Sequence, residues 1–387
     1  MNRTPIYLDY AAATPMDEAA VTAMNPYLTK QFYNPSAVYE PARSVRRNLE
    51  EARATVASVL GCKDQEVLFT AGGTEANNIA IHGVLSQYPK ANIVVSSIEH
   101  ESVLEPANKY QRIITPVNSK GIVDLLALKQ SINNQTVLVS VMYANNEVGT
   151  VQPLKEIAAY LQTVKQLRRE NGNKLPIYLH TDACQAANYL DLQTSRLGVD
   201  MMTLNGSKIY AAKQSGCLYV SASVELTTFI QGGGQERKIR SGTENVPSQI
   251  AFATMLQKVQ TNRKVEGQRL QQIRDIFIAT MLQKNSDISI NGDLKRRLPN
   301  NAHLTVPGAD GERLLMELDE AGVLVATSSA CTASSNEPSH VLLALGLSIS
   351  DANASLRITF GAPTTTEDAE EAAKRIISVI QTHTRLV

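Results

Sequence analysis

The sequence predicts an α/β protein, and three features carry that expectation. Apolar, β-branched runs alternate with helical patterns through the first two thirds of the chain, as parallel strands joined by helical crossovers do. The runs are short and mostly uncharged, which fits strands covered on both faces. One long helical pattern then separates them from a C-terminal stretch with a different order of elements.

The strand-like runs are 67–69, 93–97, 137–142, 177–181, 201–204 and 217–220. Between them, a helix over 37–60 is closed by Gly61, and a helix over 154–170 is opened by Pro153 and closed near Gly172. From 248 to about 284, Ala, Met, Leu and Ile recur at three- and four-residue spacing with only Gly267 interrupting, which reads as a connecting helix. After it come a strand at 302–306, a helix at 312–320, a strand at 323–326, a helix opened by Pro338, a strand at 356–360 and a last helix from Glu367. That order predicts a smaller α+β domain beside the large one, with no internal repeat or low-complexity tract to suggest an array.

With 387 residues, 43% hydrophobic and 19% charged, the chain can bury a substantial core and is not disordered. Its 37 basic side chains balance 37 acidic ones, so neither nucleic acid nor an anionic membrane is an expected direct partner, and the ligand is small. Cys62, Cys184, Cys217 and Cys331 are far apart and form no metal or disulfide pattern. The N-terminus has no apolar targeting stretch and no run is long enough to span a bilayer, so a reducing, cytoplasmic location is expected.

Four loops place polar or reactive residues just after strands, where open α/β sheets bind ligands. The turn Gly72-Gly73-Thr74 offers backbone N–H groups at a helix start, either as an anion site or as a steric necessity. Asp182, at the tip of a strand, is either a helix cap or the partner of a ligand cation. Lys208 follows Asn205-Gly206-Ser207 and is either a solvated charge or an amine nucleophile in a drier pocket. Cys331 sits among small polar residues, 327–336, with no large apolar neighbour to bury it, and reads as an exposed thiol. Cys62 and Cys217 read as structural, while Cys184 stays undecided. Arg357 lies in a strand, able to fork onto a carboxylate or to lie on a solvated face, and His100 closes a strand as a packing or proton-transferring ring.

Taken in order, several motifs resemble the pyridoxal-phosphate-dependent cysteine desulfurases of the NifS/IscS type, in the class V aminotransferase group. They include Tyr7-Leu8-Asp9-Tyr10, Asn34-Pro35-Ser36, Gly73-Thr74-Glu75-Ala76-Asn77-Asn78, Glu99-His100 and Asn145-Asn146-Glu147-Val148-Gly149. Further along are Asp182-Ala183-Cys184-Gln185, Gly232-Gly233-Gly234, Arg240-Ser241-Gly242-Thr243, Ser329-Ala330-Cys331 and Glu337-Pro338-Ser339. The resemblance covers nearly the whole chain.

It implies a fold-type I transferase with a mostly parallel seven-stranded sheet in a large domain, 16–260, and a small α+β domain from 1–15 and 261–387. It implies a homodimer that binds pyridoxal 5'-phosphate, with Lys208 carrying the cofactor, Asp182 on the ring nitrogen and His100 stacked on the ring. Gln185 and Asn146 would lie beside the ring oxygen and substrate. Gly73, Thr74 and Ser207 would hold the phosphate, with Thr243 added from the other subunit, and Asn205 would also bind the cofactor. Arg357 would clamp the carboxylate of L-cysteine, and Cys331 would take the sulfur as a persulfide, leaving alanine. The sulfur would pass to an acceptor protein such as an iron–sulfur scaffold, or toward tRNA thiolation. Selenocysteine lyase, another class V reaction and an inactive scaffold homologue are the alternatives.

Two departures bear on this. The family's usual Ser-Gly-His before the lysine is Asn205-Gly206-Ser207 here, and the usual Gly-Pro after it is Ala211-Ala212, so looser cofactor binding is expected. The sequence ends at Val387, soon after its last helix, where many housekeeping members carry a longer tail that touches the scaffold.

Overall fold

A computed structural model describes residues 4–327 and 337–383. After a short strand β1 (Ile6–Tyr7), seven strands form the main sheet. They are β2 (Val67–Thr70), β3 (Asn92–Ser96), β4 (Gln111–Thr115), β5 (Thr136–Ser140), β6 (Tyr178–Asp182), β7 (Met201–Asn205) and β8 (Gly216–Val220), in the order β2-β8-β7-β6-β5-β3-β4. All neighbouring pairs are parallel except those of β8, which runs antiparallel to both β2 and β7. The expected α/β class and mostly parallel sheet are therefore present.

Alternation along the strands sorts the side chains into two cores. Val94, Val139 and Leu179 face one layer, with Leu49, Val56, Ile157 and Leu161 from the helices Glu40–Leu60 and Leu154–Glu170. Ile93, Val95 and Leu138 face the other, against Ile79, Ala80 and Val84 of the helix Gly73–Leu85. The helix over Glu40–Leu60 starts later than its apolar pattern, because Tyr39 is extended and a proline follows in its first turn.

Strand β4 was not among the runs legible in the sequence. It is the edge strand, and its Gln111 and Arg112 mask the apolar signal. Beyond the main sheet, β9 (Ser289–Ile290), β10 (Asn301–Thr305), β12 (Ala326–Thr327) and β13 (Ser355–Thr359) pair antiparallel in the order β12-β13-β10-β9. The single strand expected at 323–326 divides at Val325, because β11 (Val323–Leu324) pairs with β1 while β12 joins β13.

The helix Val246–Lys284 joins the cores. Its Phe252, Met255 and Leu256 pack in the first core, and its Leu270, Ile273 and Phe277 pack with Ile6, Leu8, Leu304 and Phe360 against the smaller sheet. A buried ion pair locks the segment after β8 onto the main sheet. Arg53 Nη1 and Nη2 each donate to Glu236 at 2.9 Å, and the Phe69 N–H reaches the same carboxylate at 3.1 Å. Among the described residues, no helix is long and apolar enough to cross a membrane.

Candidate active site

A cavity of about 170 Å³ opens at the carboxyl ends of the parallel strands. Asp182 ends β6, Asn205 ends β7, His100 follows β3, Asn146 follows β5 and Gly73 opens the helix after β2. Lys208, Thr74, Gln185 and Arg357 complete the polar lining. Nine of the twelve residues that the resemblance singles out thus line one cavity.

One end of the cavity is built around Asp182. Its Oδ1 accepts the Cys184 N–H at 2.9 Å and its Oδ2 accepts from Asn77 Nδ2 at 2.7 Å. Asp182 therefore caps the local turn and also lines the cavity. Behind it on β6, His180 is fully buried between Ser140 Oγ at 2.8 Å and Thr203 Oγ1 at 3.0 Å. Burial pushes its pKa down to about 4, so it is neutral and braces the strand. Burial also holds His100 below the ordinary histidine range, with Asp182 pulling the other way and Lys208 adding to the depression. Glu99, wholly buried, is pushed up by desolvation and accepts the Met142 N–H at 2.7 Å.

Lys208 lies in a tight turn, Gly206–Lys208, between antiparallel β7 and β8. Its Nζ donates to the Ala12 carbonyl at 2.6 Å, and its own carbonyl accepts from Asn188 Nδ2 at 2.7 Å. Gly206 is required, because a Cβ there would collide with Ser215 Oγ. Tyr210 and Gln214 take φ values of 63° and 59°, so two side-chain-bearing residues stand in the left-handed region within this loop.

The other end of the cavity is made of backbone and small side chains. Gly72 has φ 131°, open to glycine alone, and a Cβ on Gly73 would come within 2.8 Å of Cys184 Sγ. The helix Gly73–Leu85 points its unpaired first N–H groups here. Thr74, Asn205, Ser207 and Lys213 line an adjoining space of about 620 Å³. Ser207 takes its place in this space rather than in the first cavity, with its N–H and hydroxyl donating to Asn205 Oδ1 at 3.1 and 3.0 Å. A carboxylate at one end, a lysine amine in the middle and a helix start with hydroxyls at the other suit a ligand that is cationic on its ring, carbonyl-bearing and anionic at its tail.

Arg357, on β13, is buried, which removes the solvated-face reading. Its Nη2 pairs with Asp9 Oδ1 at 2.8 Å and its Nη1 donates to the Asn146 carbonyl at 3.3 Å, while Nε has no partner among the described residues. Gln185 Nε2 donates to the Ala11 carbonyl at 3.0 Å. Thr243 is exposed and lines neither space. Cys331 lies outside the described residues, but both flanks of its segment are tied to the cavity wall. Ala326 pairs with Arg357 across the sheet, Ser339 Oγ donates to Glu147 at 2.6 Å, and His340 Nε2 meets the Glu99 carbonyl at 2.9 Å.

Burial resolves the undecided Cys184. Its thiol is pushed well up, as is that of Cys217, and Cys62 is raised to about 12, so all three are poor nucleophiles. Sequence reasoning gave no role to Asp9, Asn77 or Ser102, although all three lie within or beside the motifs it noted.

The aminotransferase class-V family pattern matches residues 6–371. The chain belongs to this family. Among its relatives, the cysteine desulfurase IscS of Dictyoglomus turgidum is 39% identical over 388 residues, 97% of this chain and 95% of that protein. Cysteine desulfurase IscS 1 of Archaeoglobus fulgidus is 37% identical over 382 residues, 97% of each. A solved NifS-like protein superposes with a TM-score of 0.89 at 27% identity, covering 98% of this chain and 100% of that one. SspA, solved in complex with cysteine, does so with a TM-score of 0.77 at 29% identity, over 92% and 98%. Within the class-V family the chain groups with the cysteine desulfurases of the NifS and IscS type.

Proposed function

We propose that this chain is a cysteine desulfurase that uses pyridoxal 5'-phosphate to convert L-cysteine to L-alanine, with the sulfur carried off as a persulfide on Cys331. The reading rests on one observation: Asp182, His100, Lys208 and Arg357 line a single cavity at the strand ends. Bound there, the cofactor supplies an electron sink for the pair released at the substrate carbon.

The chain's own groups have separate tasks. Asp182 keeps a ring nitrogen protonated, Lys208 holds the carbonyl end, and Gly73, Thr74, Asn205 and Ser207 with the helix start hold the phosphate. Arg357, already positioned by Asp9, binds the substrate carboxylate, while Asn146 and Gln185 orient the bound groups. The Cys331 thiolate attacks the substrate sulfur; the new S–S bond forms as the carbon–sulfur bond breaks, and the carbon is protonated to give alanine. The burial of the other three thiols supports Cys331 in this role. His100 is the proton carrier beside the ring.

In the same reading the protein works in the cytoplasm as a homodimer, Thr243 completing the partner subunit's phosphate site, with residues 16–260 as the large domain and 1–15 with 261–387 as the small one. The persulfide sulfur goes to an acceptor protein, for iron–sulfur cluster assembly or tRNA thiolation. The test is to load the purified protein with pyridoxal phosphate, add cysteine and assay alanine and sulfide together. Equal yields, abolished in Cys331→Ala with the cofactor absorbance retained, are expected. Sulfide release that persists in Cys331→Ala would favour a lyase with a bystander cysteine.

A further inference from the structure

His100 caps the helix Glu101–Ala107, its Nδ1 accepting the Ser102 N–H at 3.0 Å. The Ser102 hydroxyl lies 2.9 Å from the same nitrogen. Asn77, fully buried, places Nδ2 2.8 Å from Ser102 Oγ and 2.7 Å from Asp182 Oδ2. An amide nitrogen only donates, so the direction of the chain is set: Asn77 donates to the carboxylate and to the serine oxygen, and the serine proton is left for His100 Nδ1. That nitrogen receives two donors and carries no proton. A neutral imidazole so held has its proton on Nε2, which has no hydrogen-bond partner among the described residues, and the ring lines the cavity.

We infer that Asn77 and Ser102 are positioning residues that hold His100 neutral, protonated on Nε2, and mechanically joined to Asp182. The inference deepens the proposed function and rests on its placing of Asp182 and His100 at the cofactor. Its consequence is directional. His100 can hand a proton to the cavity only through Nε2, and taking a second proton on Nδ1 sets that N–H against the Ser102 N–H and breaks the helix cap. Around the ring, burial, Lys208 and His340 oppose the charged form, while Asp182 and Glu101 favour it. Asn77 bridges Asp182 and Ser102, and Ser102 bonds His100, so displacing Asp182 disturbs His100 as well.

The experiment is a nitrogen NMR titration of the purified full chain with isotope-labelled histidine, the His100 signal being assigned from His100→Gln. The expected wild-type pattern is a single Nε2–H tautomer at neutral pH. Loss of one neutral hydrogen bond in Ser102→Ala raises the His100 midpoint by about half to one pH unit and mixes the tautomers. Ser102→Thr, which keeps the hydroxyl, restores the wild-type signal, and the acidic limb of the kcat profile moves with the midpoint. An Nδ1–H tautomer in the wild type, or a Ser102→Ala midpoint equal to wild type, overturns the inference. The spectra need no added cofactor, so a chain that binds no pyridoxal phosphate sinks the functional reading separately from the tautomer.

Discussion

The two ends of the cavity are built by different means. At the Asp182 end, side chains fix one another: Asn77 and the Cys184 N–H donate to one carboxylate, Asn77 reaches on to Ser102 and Ser102 to His100, with His180 buried behind it on the strand. At the helix-start end, the work falls to backbone: Gly72 and Gly73 give close approach, and the helix supplies N–H groups. A side-chain network tolerates little exchange, because each member satisfies another. A backbone cradle survives loss of a neighbouring side chain.

The difference can be broken most strongly at Asp182. In the proposed function, Asp182→Ala removes the charge that would keep the ring nitrogen protonated while leaving the cradle intact, so kcat is expected to fall by about a hundredfold or more with the cofactor absorbance retained. A fully active variant would contradict the role of the carboxylate. Arg357→Ala comes next. Loss of a charge-assisted contact lowers kcat/KM for cysteine by about tenfold to a hundredfold, read mainly in KM. An unchanged KM would mean that the Arg357–Asp9 pair only braces β13. The smallest effect is expected at the cradle, where Ser207→Ala weakens pyridoxal phosphate binding by about fivefold in a fluorescence titration. A loss as large as that from a Lys208→Ala change would show that the serine, not the backbone, carries the grip.

Acid should act through the buried histidines. Burial holds His180 down to about 4 and His303 to about 3, whereas the unfolded chain takes these protons near pH 6.5. The unfolded state then binds more protons, so their stabilising effect is complete above about pH 6.5 and is lost as pH falls toward the folded values. A thermal midpoint that drops steadily from pH 7 to pH 5 is expected; a level or rising midpoint would contradict it.

Much of this was legible from local pattern. Strands with buried faces and helices with clear caps were readable, as was the placing of Asp182 and Lys208 after strands. Edge strand β4 was hidden by its polar residues. That Arg357 does not lie on a solvated face needed burial, and its partner Asp9 is 348 positions away. Asn77 was missed because its contacts reach residues 25 and 105 positions away, and no spacing rule reports a hydrogen bond that exists only after the strands align, so Ser102, although two positions from His100, had no visible link to Asp182. The roles of the site residues came from the order of motifs, since each loop alone left a structural alternative open.

In the proposed function the sulfur of L-cysteine ends on Cys331. A single turnover of the loaded protein with L-cysteine, without reductant, followed by mass spectrometry of the peptide containing Cys331, tests it most directly. One added sulfur atom on that peptide, with alanine released in equal amount, is the predicted result. Alanine and free sulfide with an unmodified Cys331 peptide would contradict it.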